Sequence, residues 1–179
     1  MNKMSFEPLL KRVTKSEEAI GVKRIWQEIF GDDDDFLDSF YDAFPMKENT
    51  FVAKDGEKVV GIVNAIDCEL LYDKKHFFGK YIYALAVDKP YRGKGLARKL
   101  LEIAESGSFV LLVPETPELF AMYDKLGYKE KADVDDRFVD PCLFVGGKES
   151  GRRVSALVKL MDDDIKCFDK EKSLFFIKK

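Results

Sequence analysis

The 179-residue sequence predicts an α/β (α+β) protein with a mixed, mostly antiparallel sheet flanked by helices, and three stretches predict it. In residues 80–101 a β-rich apolar run (81–87) is stopped by Asp88-Lys89-Pro90. After Arg92, apolar residues return with helical period at Leu96, Leu100, Ile103 and Ala104. A second apolar run at 108–113 makes this a strand, helix and parallel strand, for which a right-handed crossover is expected. Residues 50–54 and 58–71 are β-rich runs joined at Asp55-Gly56, a strong signal for an antiparallel hairpin. Two capped, amphipathic segments precede them.

In chain order, residues 9–13 form a short strand. Thr14 with Glu17 has capping-box spacing and opens a helix that turns Ile20, Ile25 and Ile29 inward and ends at Gly31. Asp32 to Asp35 complement the dipole of a second helix carrying Phe36, Leu37, Phe40, Tyr41 and Phe44, closed by Pro45. After the hairpin, residues 72–79 read as a polar connection to the central strand, and a helix runs from Gly93 to about Glu105. Thr116 and Pro117 start another helix with Leu119, Met122, Tyr123 and Leu126 on one stripe and Gly127 just past its end. Strands follow at 128–134, 154–161 and Ser173–Ile177, with turns at Gly146-Gly147 and Asp162-Asp163-Asp164. The last strand is an extra edge, able to pair within the chain or across a homodimer.

Composition bounds the function. With 46% hydrophobic and 35% charged residues the chain reads as one soluble domain over 1–179. No apolar run approaches the roughly 20 residues of a membrane helix, and the N-terminus lacks a signal-type apolar core. Three cysteines (Cys68, Cys142, Cys167) without metal spacing fit a reducing cytoplasm and no metal site. A net charge of −3 gives no global basis for nucleic-acid binding.

The basic residues gather instead at the turn after the central strand. Arg92, Gly93, Lys94, Gly95, Leu96 and Ala97 leave few bulky side chains near the unpaired N–H groups of a helix start, and Arg98 and Lys99 follow. Dipole, free donors and cations together favour a phosphorylated ligand. A P-loop is excluded because no Ser or Thr follows Lys94 or Lys99. A dinucleotide fingerprint would require a third glycine where Arg98 stands; it is kept as a weaker alternative, with Glu115 as its acid.

Arg92-x-x-Gly95-x-Ala97, preceded by Leu85-x-Val87-x-x-Pro90-Tyr91, resembles the acyl-CoA pyrophosphate loop of the GNAT superfamily of N-acetyltransferases. The stretch from Leu119 to Tyr128 resembles that family's second signature, a helix ending in Tyr-x-x-Leu-Gly-Tyr, at Tyr123, Leu126, Gly127 and Tyr128. The resemblance covers roughly residues 51–130. It implies a V-shaped splay between the central strands and a bulge in the first of them, with helices bordering the acceptor entrance. It further implies that acetyl-CoA serves as co-substrate for a small-molecule or peptide amine. By motif alignment, Leu85 N–H would polarise the acyl carbonyl, Ala86 and Val87 would line the pantetheine, and residues 92–97 would hold the pyrophosphate. Tyr123 would protonate the leaving thiolate.

The same residues have plainer readings. Without the motif, Tyr123 is a core tyrosine on an apolar stripe. Thr116, where the family often has Asn, is fully explained as an N-cap. The general base is left open among Glu69, Asp67, His76, Tyr83, Glu115 and a water chain, and His76 reads as a solvated loop residue. Cys68 reads as core, and the acidic runs at 32–35, 133–140 and 162–164 as solvated faces and caps. A non-catalytic acyl-CoA sensor is the rival of a different class.

Overall fold

The computed structural model describes residues 7–139, 152–163, 165, 169 and 173–177. The chain divides into two compact units, one of residues up to 64 with 84–104, the other of residues 65–83 with those from 105 onward.

In the first unit, strand β1 (Leu9–Arg12) pairs antiparallel with β2 (Thr50–Asp55), and β2 pairs antiparallel with the start of β3 (Lys58–Tyr72), with a bulge at Ala53/Lys54. Gly56, at φ 56°, makes the expected hairpin turn. Helix α1 (Ser16–Phe30) starts one residue later than its sequence suggests. The acid that closes its first turn is Glu18, not Glu17: the Glu18 carboxylate accepts the N–H groups of Thr14 (2.9 Å) and Lys15 (3.2 Å). Its buried face is Val22, Ile25 and Trp26, with Ile29 half-buried, while Ile20 is 74% exposed. The reason is angular. Two residues before Val22 is about 200° around the helix, the far side from the stripe that Trp26 anchors.

Gly31, at φ 81°, ends α1 as predicted, its N–H bonding Gln27 O at 3.0 Å. Helix α2 (Asp34–Ala43) is capped by Asp33, whose carboxylate accepts Phe36 N–H at 2.9 Å. Leu37, Phe40 and Phe44 bury, and the Phe40 ring meets Trp26 edge-on at 4.9 Å. A four-residue helix α3 (Met46–Asn49), not foreseen, fills the step to β2. Helix α4 (Leu96–Ala104) buries Leu96, Leu100, Leu101 and Ala104; Ile103, expected inward, is 36% exposed. A Cβ on Gly61 would lie 3.0 Å from Leu100, so glycine lets α4 approach the sheet closely.

In the second unit, the end of β3 pairs antiparallel with β8 (Ser173–Ile177), from Cys68↔Ile177 to Tyr72↔Ser173. The polar connection predicted at 72–79 is corrected: the link is only Asp73-Lys74, and β4 (Lys75–Val87) begins at once. Both link residues have positive φ (47° and 62°), the twist of a two-residue hairpin turn normally signalled by Asn-Gly, so polarity disguised the strand. Within β4, position 79 is held to glycine, since a Cβ there would stand 2.1 Å from Phe109 O. Strand β5 (Phe109–Leu112) runs parallel to β4, with Lys80↔Val110, Tyr81↔Leu111 and Ile82↔Leu112. Antiparallel strands β7 (Arg153–Leu160) and β6 (Glu130–Asp135) complete this side, and helix α5 (Pro117–Lys125) joins β5 to β6. The expected turn at Gly146-Gly147, and Asp140, Cys142, Asp164 and Cys167, lie outside the described residues.

Strands β3 and β4 run through both units. Among the described residues the sheet has eight strands and is mixed and mostly antiparallel, as the sequence predicts; its order is β1-β2-β3-β4-β5-β7-β6, with β8 on β3. No described helix is long and apolar enough to cross a membrane.

Candidate active site

The glycine turn rises from a built base. Pairing of β4 with β5 ends at Ile82, yet β4 continues to Val87. Ala84, at φ 52°, is a non-glycine residue in the left-handed region and breaks the pleat where the resemblance implies a bulge. Beyond it Leu85 and Val87 are half-buried and Ala86 is buried.

At the strand's end, Asp88 N–H bonds Val60 O at 2.9 Å, and its carboxylate meets Arg24 Nη2 (3.3 Å) and Lys58 Nζ (3.2 Å). Burial alone would raise the Asp88 pKa, but these two cations outweigh it and hold the carboxyl below its ordinary value. A 3₁₀ turn (Lys89–Tyr91) follows, tied down by Tyr91 OH donating to Asp55 at 2.7 Å. The ammonium of Lys94 lies 5.1 Å from the centroid of the Tyr91 ring.

Arg92 donates Nε–H to the Val87 carbonyl at 2.9 Å. The Val87 C=O is thereby engaged by the loop's own arginine. The Arg92 Nη groups have no partner among the described residues.

Gly93 and Gly95 have φ of 73° and 76°, which is why the helix begins at Leu96 and not at Gly93 as its sequence suggests. A Cβ at either glycine would meet nothing within 4 Å, so the loop stands open. Lys99 N–H to Gly95 O (3.2 Å) is the first bond of the helical ladder, which leaves the amides of Leu96, Ala97 and Arg98 ahead of it. Leu96 itself is 2% exposed, so it serves through its main chain. Arg98 and Lys99 are exposed and have no ion-pair partner among the described residues. Open space, oriented amides and cations fit a diphosphate.

The second group of predicted residues sits in the other unit. Thr116 Oγ1 accepts Leu119 N–H at 3.4 Å and caps α5, as its N-cap reading requires. Tyr123 is the one buried residue of α5, and burial pushes its phenol up to about 12, with the Glu115 carboxylate adding to the effect. Its ring packs edge-to-face on Tyr128 at 5.7 Å. Tyr128 is fully buried and donates its OH to Glu105 (2.9 Å), which also accepts from Lys159 Nζ (2.6 Å). This support for Tyr123 was not foreseen; the tyrosine after Gly127 was its only signal. On β4, Tyr81 donates to the Phe138 carbonyl and Tyr83 to that of Val139 (3.2 Å).

Several other candidates resolve. His76 lies in a strand rather than a loop and bonds Glu69. Asp67 pairs with Lys80 at 2.6 Å. Cys68 is buried and its thiol is pushed up by desolvation, consistent with core. The acids at 32–34 are structural: Asp32 accepts Trp26 Nε1–H (2.8 Å), Asp33 caps α2 and Asp34 accepts from Gln27 (3.1 Å). Among the described residues no three His, Cys, Asp or Glu side chains group as a metal site would require.

Residues 46–130 match the family described as the acetyltransferase (GNAT) domain. No curated protein matches the chain. Among solved structures, the GNAT N-acetyltransferase YhbS from Escherichia coli, in complex with CoA, is 18% identical. It aligns with a TM-score of 0.64 over 98% of this chain and 93% of that one. Arabidopsis thaliana Naa50, in complex with the bisubstrate analogue CoA-Ac-MVNAL, is 20% identical, with a TM-score of 0.55 over 85% and 97%. A GCN5-related N-acetyltransferase from Kribbella flavida is 19% identical with a TM-score of 0.57; the match covers 72% of this chain and about a third (34%) of that protein. At these identities the structural likeness is one of fold. Residues 46–130 thus match the acetyltransferase (GNAT) domain family, and the chain shares the fold of these acetyltransferase structures.

Proposed function

We propose that residues 1–179 act as one GNAT-like domain that transfers an acetyl group from acetyl-CoA to a primary amine, small-molecule or peptide, by direct attack in the cytoplasm. The observation that carries this reading is the open turn at Gly93 and Gly95, set ahead of the free amides of α4 and flanked by Arg92, Lys94, Arg98 and Lys99.

In this reading the turn holds the diphosphate, and the strand backbone at Leu85 and Ala86 receives the pantetheine and acyl carbonyl. Leu85 N–H steadies the oxyanion as the amine adds; an oxyanion donor of this kind is worth about 100-fold or more in rate. Tyr123, protonated throughout the neutral range at a pKa of about 12, supplies the proton to the departing thiolate.

The test is calorimetric titration with CoA followed by thiol release with acetyl-CoA and an amine panel. Tyr123→Phe should cut turnover at least 10-fold and leave CoA affinity within about twofold. Equal turnover by the variant removes Tyr123 from the mechanism, and thermal stabilisation by NAD with none by CoA removes the transferase reading altogether.

A further inference from the structure

A direct-attack reaction must dispose of the amine's proton, and the structure narrows the five side chains open to that role. Asp67 is held by Lys80 at 2.6 Å and Glu69 by His76, so each of these acids already has a cation or a ring nitrogen on it. The Tyr83 hydroxyl spends its proton on Val139 O at 3.2 Å. Glu115 differs from all of them. It is exposed, and among the described residues it has neither a hydrogen bond nor an ion pair.

Its backbone is fixed from both sides. Three residues before it, Leu112 is the last β5 residue paired with β4, opposite Ile82. One residue after it, Thr116 caps α5, the helix that carries Tyr123. Glu115 therefore stands on a four-residue bridge between the strand end where the sheet pairing opens and the helix of the thiolate's proton donor. Its charge reaches both neighbouring phenols, raising Tyr123 and, more weakly than burial does, Tyr81.

Resting on the transferase reading above, we propose that Glu115 is the catalytic base, the carboxylate that receives the acceptor amine's proton directly or through one water. As the nitrogen lone pair forms the C–N bond to the acetyl carbon, the carbonyl π pair moves to oxygen and the ammonium proton passes to Glu115. The oxyanion then re-forms the carbonyl, the C–S bond breaks, and the thiolate takes the Tyr123 proton. Glu115 returns its proton to solvent and Tyr123 is reprotonated, so the cycle yields amide, CoA thiol and an unchanged protein.

The experiment uses the full chain and the amine that the panel acetylates fastest. Glu115→Gln should lower kcat at neutral pH by about 100-fold, in the range expected for a general base. Its KM for acetyl-CoA and its affinity for CoA should stay within about twofold. Glu115→Ala should be equally slow and should recover at least 10-fold in rate with millimolar formate, which supplies a carboxylate in trans. A merely structural role would show loss without rescue and a lowered melting temperature, and that result overturns the proposal. So does a Glu115→Gln rate equal to wild type, which leaves the transferase reading intact. A wild-type chain that binds CoA yet acetylates no amine overturns both.

Discussion

The side chain of Glu18 shows how a single buried charge sets pH behaviour. It is 2% exposed, accepts from Lys11 Nζ at 2.8 Å and Lys54 Nζ at 3.3 Å, and closes the first turn of α1. Burial alone would raise its pKa, yet these donors and the Thr14 and Lys15 amides bring it from 4.5 to about 2. Because the folded value is depressed, the stabilisation is fully present above pH 4.5 and drains away as pH falls towards 2. Melting temperature should therefore decline from pH 5 to pH 3 in the wild type. Glu18→Gln should start lower at pH 7, where Lys54 loses a buried partner, and decline less steeply. Identical slopes would show that Glu18 carries no linkage. At this scale the sequence was readable for caps such as Asp33 and Thr116 but not for Glu18. Thr14-x-x-Glu17 and Lys15-x-x-Glu18 are one residue apart, and the burial of Trp26 rather than local spacing decides between them.

Elements that carry their own punctuation were legible. Helix α5 begins at Thr116-Pro117 and ends at Gly127, and the hairpin of β2 and β3 turns at Gly56, all as read from residue type. The hairpin at Asp73-Lys74 was not, because neither residue advertises positive φ and the pleat of β4 hides among polar residues at its exposed start. Two tests belong here. Thr116→Ala removes the hydroxyl that caps α5 and should cost about 1 kcal/mol in denaturant unfolding, while Thr116→Asn should restore it. An unchanged midpoint for Thr116→Ala would deny the cap any energetic role. Gly95→Val forces a β-branched residue to φ 76° and should weaken CoA binding more than 10-fold, through the loop's conformation rather than through crowding, since the space around it is open. Binding unchanged in this variant would place the diphosphate elsewhere.

Across the whole molecule, the fold class, the parallel β4–β5 pair and the glycine turn were all foreseen, because each is written in consecutive residues. Less was legible where distant segments meet. The support that Glu105 and Lys159 give Tyr128 joins residues 23 and 54 positions apart, the docking of β8 on β3 joins residues more than 100 apart, and no local pattern encodes them. The pairing of β8 within the chain matters for association, since it covers the β3 edge from Cys68 to Tyr72. Deleting residues 170–179 should uncover that edge and drive concentration-dependent self-association in light scattering, whereas a truncated chain that behaves as the full one does would mean that the edge is protected in another way.

The diphosphate cradle is tested most directly by titrating CoA into ¹⁵N-labelled protein while following the backbone amides of Gly93, Gly95, Leu96 and Ala97. Large, saturable shifts confined to these amides and the end of β4, with much weaker ones from NAD, are the predicted result. Amides in 92–97 that stay still while CoA saturates the protein would contradict the account.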